Sequence, residues 1–346
     1  MNIHVVNPLL DSRWDELGSR HPLASAFHQR GWLEALERTY GYRSFAITST
    51  PPGQPLADAV VFSSVSSWIT GNRAVSLPFA DHCDALLNDS DAMATFVDWL
   101  RGECTHQHWR YAELRPRMAL DPACLGLKQG STYSLHELDL DESLEQVFRR
   151  LDKDSFQRRI RRAEKEQLAY EVGLSSELLD AFYGLLLTTR RRHRMLPQPR
   201  AWFQNLVECM AGSIEIRLAR KNGSPVAALL SLRHGTTVVY KYGCSDSGFH
   251  YLGAMPFLFW RLIEESKARG AQRLDLGRSD LDNPGLIAFK DRFGASKRPL
   301  TYYRCGDGQA PQGASRWHSR PLRRLFSLLP DTAFSTAGRL LYRHLG

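Results

Sequence analysis

Across 346 residues there is no apolar run approaching the roughly 18–20 residues that a membrane-spanning helix needs. The opening stretch MNIHVVNPLLDSRWDE lacks the basic flank and apolar core of a secretory signal, so a cytoplasmic protein is expected. Cysteine is sparse and scattered, at positions 83, 104, 124, 209, 244 and 305. No Cys-x-x-Cys pair occurs and none sits at metal-ligand spacing with a histidine, so reduced, buried thiols are expected and a metal site is not. The neighbours of Cys244 do not suggest an activated nucleophile. Acidic residues are in deficit, 37 Asp and Glu against 45 Lys and Arg, which leaves a net charge of +8. With 43% apolar and 24% charged residues the chain is nonetheless globular in composition, and long enough for two domains.

The excess positive charge is clustered. Arg149, Arg150, Lys153, Arg158, Arg159, Arg161, Arg162 and Lys165 fall within one short stretch, and residues 190–194 read Arg-Arg-Arg-His-Arg. Such clusters suit a phosphate-rich partner: a coenzyme, a tRNA or a lipid diphosphate. They are also what a solvated helix face looks like. Phe156, Ile160 and Ala163 recur at helical spacing, so the arginines between them face away from the core.

The chain reads as two copies of one unit. Gly53-Gln-Pro55-Leu-Ala57 and Gly223-Ser-Pro225-Val-Ala227 each feed an apolar strand. Further strands follow Gly71-Asn72 and Gly235-Thr236, then helices over 91–106 and 254–269. Strands ending in Arg115 and Arg278 come next, at an offset of about 165 residues throughout. Helices preceding a strand meander, with one crossover helix leading to a further strand, predict an α/β fold with a mixed sheet in each copy. The expected boundaries are 1–138, 139–308 and a basic helical tail over 309–346, with a linker at 306–313. Two such units side by side would leave a ligand cleft between them.

Residues 240–294 carry the most chemistry. They read as strand, turn, helix, strand, loop and short helix, ending in Phe289-Lys-Asp-Arg-Phe-Gly294. Tyr242 and Asp246 flank the turn before the helix, where Asp246 is a candidate to accept a proton or simply to cap the turn. Arg278 and Asp280 end the last strand and are placed to line a site or to pair with each other. Lys290 stands beside Phe289, as a candidate oxyanion partner or a surface lysine.

The ordered set of motifs resembles the FemABX family of tandem GNAT-like transferases, nearest to the FemAB-like proteins associated with exopolysaccharide and exosortase systems. Its carriers are Phe27-His-Gln-Arg-Gly-Trp32, Val75-Ser-Leu-Pro-Phe79, Arg158-Arg-Ile-Arg-Arg-Ala-Glu-Lys165, Arg192-His-Arg-Met-Leu-Pro-Gln-Pro199, Tyr242-Gly-Cys-Ser-Asp246, the Phe289–Gly294 box and the tail 321–330. The resemblance implies two tandem acyl-CoA N-acyltransferase-like domains and attack by an amine on an activated ester or thioester. The donor would be aminoacyl-tRNA or acyl-CoA, with no tightly bound cofactor, and the acceptor a cell-envelope or exopolysaccharide precursor. By the same resemblance Phe289-Lys290 stabilises the oxyanion and Arg192 holds acceptor phosphate, with His193 standing where relatives commonly carry an acidic residue.

Coenzyme A-binding members use an Arg/Gln-x-x-Gly-x-Gly/Ala turn, whose N–H groups hold pyrophosphate at a helix N-terminus. Here His250-Tyr-Leu-Gly253-Ala-Met255 keeps only the first glycine, which leaves His250 and Gly253 as the donor-binding candidates. Glu34 and Leu36 follow Trp32 where peptide-bridge members tend to carry lysines. The tail also allows peripheral contact with the inner membrane surface. No DNA partner is expected. The other reading is a non-catalytic, basic RNA- or membrane-binding protein that keeps the fold.

Overall fold

The computed structural model describes residues 2–89, 92–306 and 330–346. They divide into two compact units, one holding 2–133, 300–306 and 339–346, the other 134–299 and 330–338. The boundary cuts through strands β6 (Lys128–Asp139) and β12 (Ser296–Cys305). Most of the expected tail, with its linker, lies outside the described residues. Its end forms α10 (Asp331–Tyr342), whose first turn closes with a 2.9 Å bond from Phe334 N–H to Pro330 O.

Unit 1 begins with β1 (His4–Val6), α1 (Arg13–Arg20), α2 (Arg30–Tyr40) and β2 (Arg43–Thr48). It continues through β3 (Val60–Val65), β4 (Arg73–Val75), α3 (Ala92–His106) and β5 (Ala112–Leu114). β1, β2, β3 and β4 pair antiparallel in that order, and β5 returns through α3 to pair parallel with β4. Phe62, Phe96, Val97 and Leu100 close the core between sheet and α3.

Unit 2 repeats this string. β7 (Ala169–Gly173), α6 (Ser176–Arg192), α7 (Arg200–Cys209), β8 (Ile214–Lys221), β9 (Ser224–His234), β10 (Thr237–Ser245), α8 (Ala254–Ala268) and β11 (Arg273–Asp280) follow one another. The pairing senses are the same: three antiparallel steps, then β11 parallel to β10. The duplication expected from the turn-and-strand echoes is therefore a duplication of topology. Unit 2 adds α4 (Leu144–Arg150), a π turn over Lys153–Gln157, α5 (Arg158–Lys165) and α9 (Pro284–Asp291). The strands at 128–139, 169–173 and 296–305 were not foreseen, since none shows clean apolar alternation.

α8 is apolar on nearly every side because it is covered by the sheet and by α5: Phe257, Leu258, Phe259, Leu262 and Ile263 are buried. The expected stripe holds, with Phe156, Ile160 and Ala163 buried and Arg158, Arg159, Arg161 and Arg162 exposed. Phe293 fixes α9 to this core, its ring centroid 4.2 Å from Phe156 and 4.8 Å from Phe259. Phe293→Ala should cost about 3–5 kcal/mol, measured by urea unfolding; a cost below about 1 kcal/mol would show that α9 is held by something else.

Unit 1 contains a fully buried histidine whose neighbours suit only its neutral form. His28 Nδ1 accepts from Ser25 N–H at 3.1 Å, while Nε2 lies 3.0 Å from the Asp84 carbonyl. Burial lowers its pKa from 6.5 to about 4. The folded value lies below the unfolded one, so as pH falls the unfolded chain takes the proton first. The stabilisation is complete above pH 6.5 and is lost between 6.5 and about 4, on the order of 3 kcal/mol. Unfolding curves at neutral and mildly acid pH should separate less in His28→Asn than in the wild type.

Candidate functional site

In unit 2, β10 and β11 pair only over Thr237–Val239 and Arg273–Asp275. Beyond those pairs β10 runs on to Ser245 and β11 to Asp280 without being partners. Two local devices part them. A bulge in β10 sets Tyr240 opposite Ser231 but Tyr242 opposite Leu230, so the two tyrosines face opposite sides of the sheet. Tyr240 packs on Phe259 of α8, whereas Tyr242 packs on Phe203 of α7 and accepts a bond from Trp202 Nε1 at 3.0 Å. In β11, Gly277 adopts the left-handed conformation (φ 70°), held by a 2.7 Å bond from its N–H to the buried Asp275 carboxylate.

This kink presents two successive carbonyls to one side chain. Lys290, only 2% exposed on α9, donates to Gly277 O at 2.8 Å and to Arg278 O at 2.9 Å. The ring of Phe289 lies in the aromatic cluster of Phe156, Phe259 and Phe293. The Phe-Lys pair thus divides its work: the ring anchors α9 and the ammonium clasps the end of β11.

A second group forms where β10 ends. Arg192, at the C-terminal end of α6, donates to Ser245 O at 3.0 Å and approaches His250 Nε2 at 3.4 Å. His250 Nε2 also meets Ser245 Oγ at 3.0 Å, and Arg159 approaches His250 O at 3.5 Å. Burial lowers the His250 pKa, and Arg192 and Arg159 lower it further, which marks the turn as electropositive. Asp246 is half-buried and caps the turn by accepting from Gly248 N–H at 2.9 Å. Gly253 is left-handed (φ 76°), and a Cβ there would lie 2.3 Å from Arg159 O. Its glycine is required by the close approach of α5, whatever else the turn binds.

The structure thus gathers Arg192, Asp246, His250 and Gly253 at one strand end and Phe289, Lys290 and the Arg278 backbone at the other. Tyr242 faces α7, His193 lies exposed at the end of α6, and Asp280 is exposed beyond the kink. Cys244 is buried, with its thiol directed at Phe182 O and Ala228 O, and burial pushes its pKa up. Tyr240, Ser245 and Asp275 are not marked as site residues by the sequence, and Arg159 is marked only as one member of the basic cluster. The Asp275-Leu-Gly277 spacing was the available signal for the kink; nothing in the sequence marks the bulge.

In unit 1 the equivalent space is filled by the chain itself. Past the last β4–β5 pair, Ser76 N–H bonds to Glu113 O at 2.8 Å and Cys83 N–H to Arg115 O at 2.7 Å. Arg115 closes the turn by donating to Leu77 O at 2.8 Å, with Leu77 and Phe79 both in left-handed conformations.

Comparison with known proteins bears on the whole arrangement. Residues 152–290, which lie within unit 2, match the acetyltransferase (GNAT) domain family. The fold is that of tandem GNAT proteins. FemX superposes with a TM-score of 0.70 at 13% identity, covering 94% of this chain and 100% of FemX. A tandem GNAT protein from the clavulanic acid biosynthesis pathway superposes with a TM-score of 0.54 at 11% identity, covering 89% and 100%. A domain described as the C-terminal part of a lysylphosphatidylglycerol synthetase from Agrobacterium fabrum gives 0.57 at 15% identity, covering 89% and 94%. No curated protein matches the chain.

Gly277→Ala forces a side chain into a left-handed residue that also receives Lys290. It should destabilise by about 1–2 kcal/mol and, in an acyl-transfer assay, lower activity more than Gly270→Ala, which has the same backbone conformation at the end of α8. Equal effects of the two on activity would remove Gly277 from the site.

Proposed function

We propose that the protein transfers an acyl or aminoacyl group from an activated donor to an amine on a cell-envelope or exopolysaccharide precursor, with unit 2 as the transferase. The observation that carries this is the buried ammonium of Lys290 where β10 and β11 part, inside a GNAT domain. The parted strands leave main-chain groups available to an extended acyl chain or pantetheine-like arm. Lys290 supplies fixed positive charge to the carbonyl oxygen as it becomes an oxyanion, acting at short range in a place with little water to screen it. Arg192, Arg159 and His250 offer the donor's phosphates an electropositive turn at the start of α8. The GNAT match supports acyl-CoA as the donor; the lost glycines of the turn leave aminoacyl-tRNA as the second candidate. The acceptor class rests on the resemblance to FemAB-like proteins alone. Peripheral membrane contact would come through the basic residues near the C-terminus.

The chemistry needs no protein nucleophile. The donor carbonyl is already activated, so the site has to align two ligands, stabilise an oxyanion and accept a proton. Lys290→Gln keeps N–H donors for the two carbonyls but removes the charge. It should leave the melting temperature within a few degrees and lower kcat at least about a hundredfold. Unchanged transfer would refute the assignment. Arg192→Ala should raise the donor KM with a smaller effect on kcat. The donor itself is separable by thermal shift: a true donor at a hundredfold excess over Kd stabilises by about 2.7 kcal/mol. Failure of every coenzyme A thioester to raise the melting temperature would exclude the thioester version.

A further inference from the structure

One buried histidine, bonded to the residue that follows Lys290, has an unusual set of partners. His136 lies in the part of β6 that belongs to unit 2, and β6 neighbours β11 in the sheet order. Its side chain is 0% exposed. Nε2 lies 3.0 Å from Asp291 Oδ1, and since a carboxylate only accepts, Nε2 carries the proton. Nδ1 is then a bare acceptor, and among the described residues it has no hydrogen-bond partner. Leaving a buried acceptor unsatisfied costs stability. A strand position that only had to pack would take leucine here, as β6 does at Leu138.

The surrounding charges come from α9 and β12. Asp291 follows Lys290 in sequence and holds His136 through Oδ1 and Lys297 through Oδ2 at 3.4 Å. Lys290 and Lys297 disfavour a positive imidazole; Asp291 favours it. Burial is the largest influence and, with the lysines, holds the His136 pKa below its usual 6.5, so the ring is neutral near pH 7 with its lone pair in place.

We propose that His136 is the proton-accepting residue of the Lys290 site, with Asp291 orienting the ring and stabilising the imidazolium that forms. The proposal rests on the reading of Lys290 as the centre of acyl transfer. The acceptor amine forms its bond to the donor carbonyl carbon, and the carbonyl π pair moves to oxygen beside Lys290. A proton of the new ammonium passes to Nδ1 of His136, an atom buried in the structure that the bound substrates must first uncover. The adduct then collapses: the carbonyl re-forms, the bond to the leaving sulfur or oxygen breaks, and the proton leaves with that thiolate or alkoxide. His136 ends neutral, so no outside acid, base or oxidant is required. The turn residue Asp246 already spends one carboxylate oxygen capping Gly248, whereas the lone pair of His136 is uncommitted.

The test is the pH–rate profile of the full-length protein with the donor identified by thermal shift, together with nitrogen-15 NMR of the imidazole. The wild type should show an acidic limb set by a pKa below 6.5, and the Nε2–H tautomer for His136. His136→Gln should lose that limb and at least about a hundredfold in kcat, with donor KM little changed. Asp291→Asn, at a side chain 42% exposed and so safe for folding, should shift the limb to lower pH and cut kcat about tenfold. A His136→Gln or Asp291→Asn enzyme with the wild-type rate and limb overturns the inference, as does an Nδ1–H tautomer. A wild type that transfers from no donor, while the NMR result stands, instead overturns the acyl-transfer reading on which the role depends.

Discussion

The bond pair from Lys290 to Gly277 O and Arg278 O is what the rest of unit 2 arranges itself around. An ammonium taken out of water costs several kcal/mol unless its protons are received. The carbonyls of a strand that has lost its neighbour cost energy as well, since each is an acceptor without a partner. The two deficits cancel each other. β11 can leave β10 because Lys290 takes over two of its carbonyls, and Lys290 can be buried because those carbonyls receive its protons. The kink at Gly277, with Asp275 holding its N–H, is the backbone geometry that lets two successive carbonyls reach one nitrogen.

The same clasp explains why α9 has its composition. Phe289 and Phe293 enter the aromatic cluster of Phe156 and Phe259, which is why α9 returns to the core after the exposed loop 281–283. Lys290 and Asp291 then point to functions on the helix's remaining sides: one clasps β11, the other holds His136 and Lys297. The stretch 284–293 thus supplies packing, charge and proton handling at once. Loss of any aromatic would move the ammonium as well as lower stability.

Much of this was legible in the sequence because it is local. The paired Gly-x-Pro turns, the crossover helices and the arginine-ended strands repeat at fixed spacing, and they correspond to two copies of one β–α–α–β–β–β–α–β string. The stripe of Phe156, Ile160 and Ala163 was equally readable, since helical periodicity survives without knowledge of partners. What was not legible depends on distant pairing. The bulge after Tyr240 exists only relative to β9, and it turns Tyr242, which spacing placed in the site, toward α7. His136 sits in a strand whose 12 residues mix exposed and buried faces irregularly, and its meaning comes from a residue 155 positions away. Lys290 was identified as a motif residue, but its burial could not be read from a short helix with an exposed first turn.

The two units make the physical point by contrast. Both part their parallel strands at the same place in the topology, and both must satisfy what the parting exposes. Unit 1 does so with its own chain: Ser76 and Cys83 bond along β5, and Arg115 caps the tight turn between them. That solution brings in a second charge, so Arg115 is paired with buried Glu113, which also binds Arg304 at 2.8 Å. Burial alone would raise the Glu113 pKa, yet the two arginines hold it below its ordinary value, so the cluster stays ionised and rigid. In unit 2 a single lysine side chain, in place of a chain segment, takes up the carbonyls at the end of the parted strand. The same topology parts its parallel strands in both copies, and in unit 2 the parting is met by one lysine side chain bonded to Gly277 O and Arg278 O.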